Sequence, residues 1–91
     1  MIYKYLSTFE RLFSKLSRSE KEKSREALDR IIHFFETGVK PKGLGLKKLR
    51  KNYWEIRVDL SLRILFEYCH SEVSFVIIGN HNDIQRVLKN I

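Results

Sequence analysis

The sequence has little cysteine and no long apolar run, and each shortage excludes a class of protein. Its 91 residues include one cysteine, Cys69, which cannot form an internal disulfide or a cysteine-based zinc site. The longest apolar runs, residues 64–66 and 75–78, fall far short of the roughly 20 residues that cross a bilayer. We therefore expect a cytoplasmic protein with no disulfide framework and no membrane insertion.

Acidic side chains are also scarce, with 11 against 18 basic ones and a net charge of +7. Residues 40–63 carry a net charge of +6, so that the rest of the chain carries +1. A lysine-rich loop that serves only solubility is one interpretation. The other is a surface that gains affinity for nucleic acid by neutralising phosphates and releasing counterions.

The chain does have enough apolar material for one hydrophobic core. Hydrophobic residues make up 43% of the sequence and aromatic residues 12%, which excludes a disordered chain. The length suits a single domain over residues 1–91 and leaves no room for a second.

Two amphipathic helices are predicted in the first 38 residues, from apolar residues at helical spacing. Ser7 and Glu10 match a capping box at the start of the first helix, and Ser19 and Glu22 match another at the start of the second. Gly38 is the expected end of the second helix. The short break between the helices predicts an antiparallel pair.

Twofold alternation of apolar residues predicts strands on both sides of these helices. Residues 2–6 form a first short strand, and residues 53–58, 62–68 and 73–78 form an antiparallel meander. Leu44, Leu46 and Leu49 lie among lysines in a further predicted strand.

These elements predict an α+β fold closed by a short C-terminal helix that begins after Asn80. Two N-terminal helices pack on one face of a mostly antiparallel four-stranded sheet. The predicted order is strand, helix, helix and three further strands before the closing helix.

Strand pairing decides which side chains lie on the sheet face away from the two helices. Pairing residue 58 with residue 62 makes Arg57 and Arg63 neighbours on that face. Pairing residue 68 with residue 73 puts Ser74, Val76 and Ile78 there as well, and leaves Val73, Phe75 and Ile77 in the core. Two neighbouring cations are unfavourable unless a carboxylate or a bound anion lies between them. We expect Arg63→Ala to leave the fold intact, because this side chain points away from the helices.

In length, element order and charge, the sequence resembles the RelE/ParE superfamily of bacterial type II toxin–antitoxin toxins. The matching segments are residues 47–50, 54–58, 62–66 and 75–81. The resemblance implies a toxin that cleaves mRNA on the ribosome without a metal ion or other cofactor. It also implies a cognate antitoxin that holds the toxin inactive, with an acidic segment expected against residues 40–63.

The resemblance further implies a set of site residues around the phosphate that is cleaved. Arg63 matches the arginine that stabilises the phosphate, and Arg57 matches a basic position on the preceding strand. His81 matches a histidine that some members use as general acid or base. Glu55 replaces a lysine of RelE and is either a carboxylate base or the mark of a weaker nuclease. The implied RNA-binding residues are Lys47, Lys48, Arg50 and Lys51.

Two departures from RelE keep other functions open, the first being the replacement at Glu55. The second is that no tyrosine follows Tyr68, whereas RelE has one in its closing segment. One alternative is a ParE-like toxin that inhibits DNA gyrase without nuclease chemistry, and another is a catalytically weakened RelE-fold protein. Asp83 either orients His81 or caps the last helix. The oligomeric state is open.

Overall fold

A five-stranded mixed sheet organises the fold in the computed structural model, which describes residues 1–91. The elements are β1 (Ile2–Tyr5), α1 (Ser7–Ser14), α2 (Arg18–Thr37), β2 (Leu46–Lys48), β3 (Tyr53–Arg57), β4 (Arg63–Cys69), β5 (Glu72–Gly79) and α3 (His81–Leu88). The strand order is β1-β5-β4-β3-β2, with β1 parallel to β5 and every other pair antiparallel. The α+β class is confirmed. The strand expected over residues 44–49 is present at residues 46–48, and since it pairs with β3, the sheet has five strands and the predicted number of four is wrong.

The two N-terminal helices are present, but neither predicted capping box forms. Helix α1 begins at Ser7 without a side-chain cap. The cap of α2 is Ser17, whose hydroxyl accepts a hydrogen bond from the Glu20 N–H, while the Glu20 carboxylate accepts one from the Ser17 N–H. Gly38 ends α2 in the left-handed conformation at φ 75°, as predicted. None of the three helices is both long and apolar enough to cross a membrane.

Helices α1 and α2 pack on one face of the sheet and enclose the main core. Its buried side chains come from both layers: Phe9, Ala27, Leu28, Ile31, Leu44, Ile56, Leu62, Ile64, Phe66, Val73, Phe75 and Ile78. Each large apolar side chain buried in this way contributes about 1.5–3 kcal/mol. This core holds the sheet rigid beneath its other face.

A β-bulge in β5 changes which side chains face the main core. Leu65 pairs with Ile77, and the next residue of β4 pairs with Phe75, which leaves Val76 without a partner. The alternation therefore slips by one residue. Ile78 joins the main core and Ile77 faces the opposite side, so the predicted faces of these two residues are wrong.

Helix α3 covers part of the sheet face that the other helices leave open. Ile84 and Leu88 of α3 form a second buried cluster with Leu65 and Ile77 of the sheet. The part of this face formed by β2, β3 and the start of β4 is not covered by α3. It forms one wall of a polar cleft.

Candidate functional site

The polar cleft lies between the sheet and α3 and has a volume of about 250 Å³. Its lining residues are Gly45, Lys47, Leu49, Glu55, Arg57, Arg63, His81 and Gln85. Three of these side chains are cationic and one is a carboxylate, and Leu49 is the one apolar member. Such a lining suits an anion better than an apolar ligand.

Adjacent strands bring the charged residues of the sheet together. Lys47 of β2 lies opposite Glu55 of β3. Arg57 of β3 lies opposite Arg63, the first residue of β4, and this pairing confirms the predicted register. Residues 55 and 57 share a face because side chains alternate along a strand. All four side chains therefore meet at one corner of the sheet.

Glu55 and Arg63 form a largely buried ion pair in this cleft. The Arg63 Nη1 donates to the Glu55 Oε2 at 3.0 Å, and the side chains are 18% and 6% exposed, respectively. Removing one partner of such a pair leaves an uncompensated buried charge. Arg63→Ala would therefore leave the buried Glu55 carboxylate without its partner, and we now expect this change to lower the stability of the fold.

The Nε of Arg63 is a second notable feature of the pair. This N–H donor is buried and has no hydrogen-bond partner. Buried donors without acceptors are rare, and a catalytic or ligand-binding role is one recognised reason for them. Arg57 and Lys47 differ from Arg63 in being exposed, so that their charges are open to a ligand.

Helix α3 presents His81 from the opposite wall of the cleft. The Asn80 side chain accepts a hydrogen bond from the Asp83 N–H, and the Asp83 carboxylate accepts one from the Asn80 N–H, both at 2.9 Å. Asp83 also pairs with Arg86 at 3.3 Å. Of its two possible roles, Asp83 therefore has that of a helix cap, and it leaves the His81 imidazole exposed.

Gly79 allows α3 to start close to the end of β5. A Cβ atom at this position would lie 2.5 Å from the Asp83 Oδ2 and 2.9 Å from the Asp83 Cβ, too close for any side chain. Gly79 is also the cross-strand partner of Arg63. The missing side chain at Gly79 therefore lets α3 begin directly beside the strand position that pairs with Arg63.

Three of the four predicted RNA-binding residues lie outside the cleft. The Lys48 Nζ is 5.7 Å from the ring centroid of Trp54, on the other face of the sheet. The Arg50 Nη1 donates to the carbonyl of Leu88 at 3.3 Å. Lys51 is exposed in the turn between β2 and β3, with φ at 52°. Among the four, Lys47 alone lines the cleft.

Three cleft residues, Gly45, Leu49 and Gln85, were missed by reasoning from the sequence. Gln85 lies one helical turn after His81 and therefore on the same face of α3, and this spacing was the available signal. Gly45 has φ at 69°, and its carbonyl accepts the Arg57 N–H at 3.4 Å. The glycine-rich loop gave no sign that one glycine would lie against Arg57.

Comparison with known proteins gives a clear result for the fold alone. No protein-family model and no curated protein matches the sequence. Among solved structures, the RelB–RelE antitoxin–toxin complex from Methanococcus jannaschii matches with a TM-score of 0.69 and 16% identity, over 92% of this chain and 96% of that one. The YoeB/ParE toxin from Agrobacterium tumefaciens gives 0.67 and 17%, over 89% and 99%. YafQ from E. coli gives 0.65 and 13%, over 90% and 94%. The chain thus has the fold of these toxins, which confirms the resemblance at that level.

Proposed function

We propose that this chain is the toxin of a toxin–antitoxin module and cleaves mRNA on the ribosome, as RelE-type toxins do. The observation that carries this is the convergence of Glu55, Arg57, Arg63 and His81 on one cleft. The fold alone does not choose between nuclease and gyrase inhibitor, because the superfamily includes ParE-like toxins. A cleft with cations, a carboxylate and an imidazole favours phosphate chemistry.

The proposed reaction is a metal-free transesterification within the RNA. The 2′-hydroxyl loses its proton to a base and attacks the adjacent phosphorus, and the bond from phosphorus to the 5′-oxygen breaks. An acid gives a proton to that leaving oxygen. The products are a 2′,3′-cyclic phosphate and a 5′-hydroxyl, and the reaction needs no further reactant.

Arg63 and Arg57 are assigned to the phosphate. Negative charge grows on the non-bridging oxygens as the 2′-oxygen attacks, and donors fixed in advance stabilise it most. Arg63 is held in this way by its bond to Glu55 at 3.0 Å. Arg57 and Lys47 add exposed positive charge at the mouth of the cleft.

Glu55 and His81 are assigned to the two proton transfers. The Glu55 Oε2 accepts from Arg63, whereas its Oε1 has no hydrogen bond and is the oxygen left to take a proton from the 2′-hydroxyl. His81 approaches from α3 with an exposed imidazole, which can donate a proton to the leaving oxygen. Base and acid then act from opposite walls of the cleft.

A cognate antitoxin is the proposed protein partner. Solved structures with this fold include complexes of RelE with RelB and of YafQ with DinJ. The net charge of +6 over residues 40–63 suits an acidic segment. An antitoxin bound there would cover Lys47 and Arg57 and compete with RNA.

Expression in a bacterium tests the function directly. Wild-type chain should stop growth, and primer extension on cellular mRNAs should show cuts at defined codon positions. Growth arrest with intact mRNA and induced DNA damage would instead support gyrase inhibition. Normal growth without antitoxin would indicate a catalytically weakened protein.

A further inference from the structure

A second concavity of about 300 Å³ adjoins the polar cleft. It is lined by Leu49, Arg50, Gln85, Leu88 and Lys89. Leu49 and Gln85 line both spaces. The two concavities are therefore parts of one groove that runs along α3 from His81 towards its C-terminal end.

Helical spacing sets the distances along this groove. His81, Gln85 and Lys89 are four residues apart, so their side chains lie on one face of α3. The Lys89 N–H donates to the Gln85 carbonyl at 3.1 Å, and the helical turn therefore continues to Lys89. Each step of four residues advances about 6 Å along the helix axis. Lys89 is two such steps, about 12 Å along the axis, from His81, and Gln85 lies midway between them, so that the two concavities lie on either side of Gln85.

Two cations at the far end of the groove have no acidic partner. Neither Arg50 nor Lys89 takes part in an ion pair. The carbonyl end of a helix by itself repels anions. Here the Arg50 Nη1 binds the Leu88 carbonyl at 3.3 Å, which offsets this repulsion and anchors the guanidinium with its other N–H donors unpaired.

We propose that Arg50 and Lys89 form a second phosphate subsite, which holds the phosphate next to the one that is cleaved. Leu49 and Gln85 lie between the two phosphates, where an apolar side chain and an amide can contact the intervening nucleoside. RNA as the ligand is taken from the proposed function, on which this inference rests. Strands with two consecutive phosphates then bind across both concavities.

The test uses short 2′-O-methyl RNAs, which lack the attacking hydroxyl and cannot be cleaved. A dinucleoside monophosphate carries one phosphate and a trinucleoside diphosphate carries two. NMR titration of the whole chain measures the dissociation constant of each ligand and the residues whose signals shift.

Lys89→Ala is the main variant, because this side chain has no ion pair or hydrogen bond within the protein, and Arg50→Ala is the second. Lys42→Ala is the control, since it removes the same charge from the basic segment outside both concavities.

Wild-type chain and Lys42→Ala should bind the two-phosphate ligand more tightly than the one-phosphate ligand. Lys89→Ala and Arg50→Ala should lose this gain while binding of the one-phosphate ligand changes less than twofold. For the longer ligand, the slope of the logarithm of the association constant against the logarithm of the salt concentration should become less negative by about 0.7, because one phosphate contact is lost. If both variants still bind the two-phosphate ligand more tightly than the one-phosphate ligand, the second subsite is refuted. It is also refuted if Lys42→Ala loses this preference to the same extent. Neither result refutes the proposed nuclease site. If the one-phosphate ligand shifts no signal of Arg63 or His81, the proposed phosphate site itself fails, and the subsite with it.

Discussion

At the residue scale, the ion pair between Glu55 and Arg63 links stability to function. The two side chains are 6% and 18% exposed and bond at 3.0 Å. We predict that Arg63→Ala abolishes toxicity and lowers the free energy of unfolding by about 1–3 kcal/mol, because a buried carboxylate loses its donor. Denaturant unfolding of the purified variant measures the second effect.

A double variant separates these two effects. Glu55→Gln with Arg63→Met removes both charges, so it should recover most of the stability that Arg63→Ala loses, since no unpaired charge is left. It should still be non-toxic. Equal stability of wild type and Arg63→Ala would mean that the pair contributes nothing to the fold.

His81 offers the opposite case, a residue expected to matter for activity alone. Its side chain is exposed at the start of α3 and makes no hydrogen bond within the protein. We predict that His81→Gln removes mRNA cleavage and leaves the unfolding midpoint unchanged, because surface changes seldom alter stability by more than about 0.5 kcal/mol. The matched control is His33→Gln, an exposed histidine on α2 outside the cleft, which should remain fully toxic.

At the element scale, the junction of β5 and α3 fixes the position of His81. A side chain at Gly79 would overlap Asp83, whose carboxylate caps α3. We predict that Gly79→Ala costs about 1–2 kcal/mol, the usual range for a lost helix cap, and also weakens cleavage. Thermal unfolding and primer extension report the two effects. A variant as stable and as active as wild type would contradict the role given to this junction.

The turn between β3 and β4 carries a pH-dependent contribution to stability. Hydrogen bonds from the Leu62 and Ser61 backbone N–H groups, at 2.8 and 2.9 Å, hold the pKa of Asp59 below its ordinary value of 3.8. A carboxyl whose pKa falls on folding stabilises the fold fully above that ordinary value and loses this contribution as the pH falls through the lower one.

We therefore predict that wild type is more stable than Asp59→Asn near neutral pH and that the difference shrinks below about pH 4. Unfolding curves measured across this range test it. A difference that stays constant with pH would show that the charge of Asp59 has no part in it.

Sequence patterns predicted the long elements well and their local exceptions poorly. The register between β3 and β4 followed from strict alternation, since a slip of one residue would expose the core face. The bulge at Val76 has no such signal, because Val76, Ile77 and Ile78 are apolar whichever way they point. Strand β2 is three residues long and rich in lysine, so that its pairing depends on β3 more than on its own sequence.

At the scale of the whole molecule, the site exists because helices cover the two faces of the sheet unequally. Helices α1 and α2 bury one face, whereas α3 covers only part of the other and leaves a cleft beside β2 and β3. The residues on the sheet could be predicted to meet, because strand alternation fixes their side. The spacing of four residues could place Gln85 on the same face of α3 as His81, and alternation along β2 could place Lys48 on the face opposite Lys47. The position of α3 over the sheet depends on packing between distant segments and could not be predicted.

Cleavage of mRNA on purified ribosomes tests the central claim most directly. Ribosomes loaded with a defined mRNA are mixed with wild-type chain, Arg63→Lys or His81→Gln, and the fragments are analysed by mass spectrometry. We predict that wild type cuts at one codon position and leaves a 2′,3′-cyclic phosphate and a 5′-hydroxyl, and that both variants lose most of this activity. Intact mRNA with wild type, or equal cutting by all three proteins, would contradict the assignment of the cleft as a nuclease site.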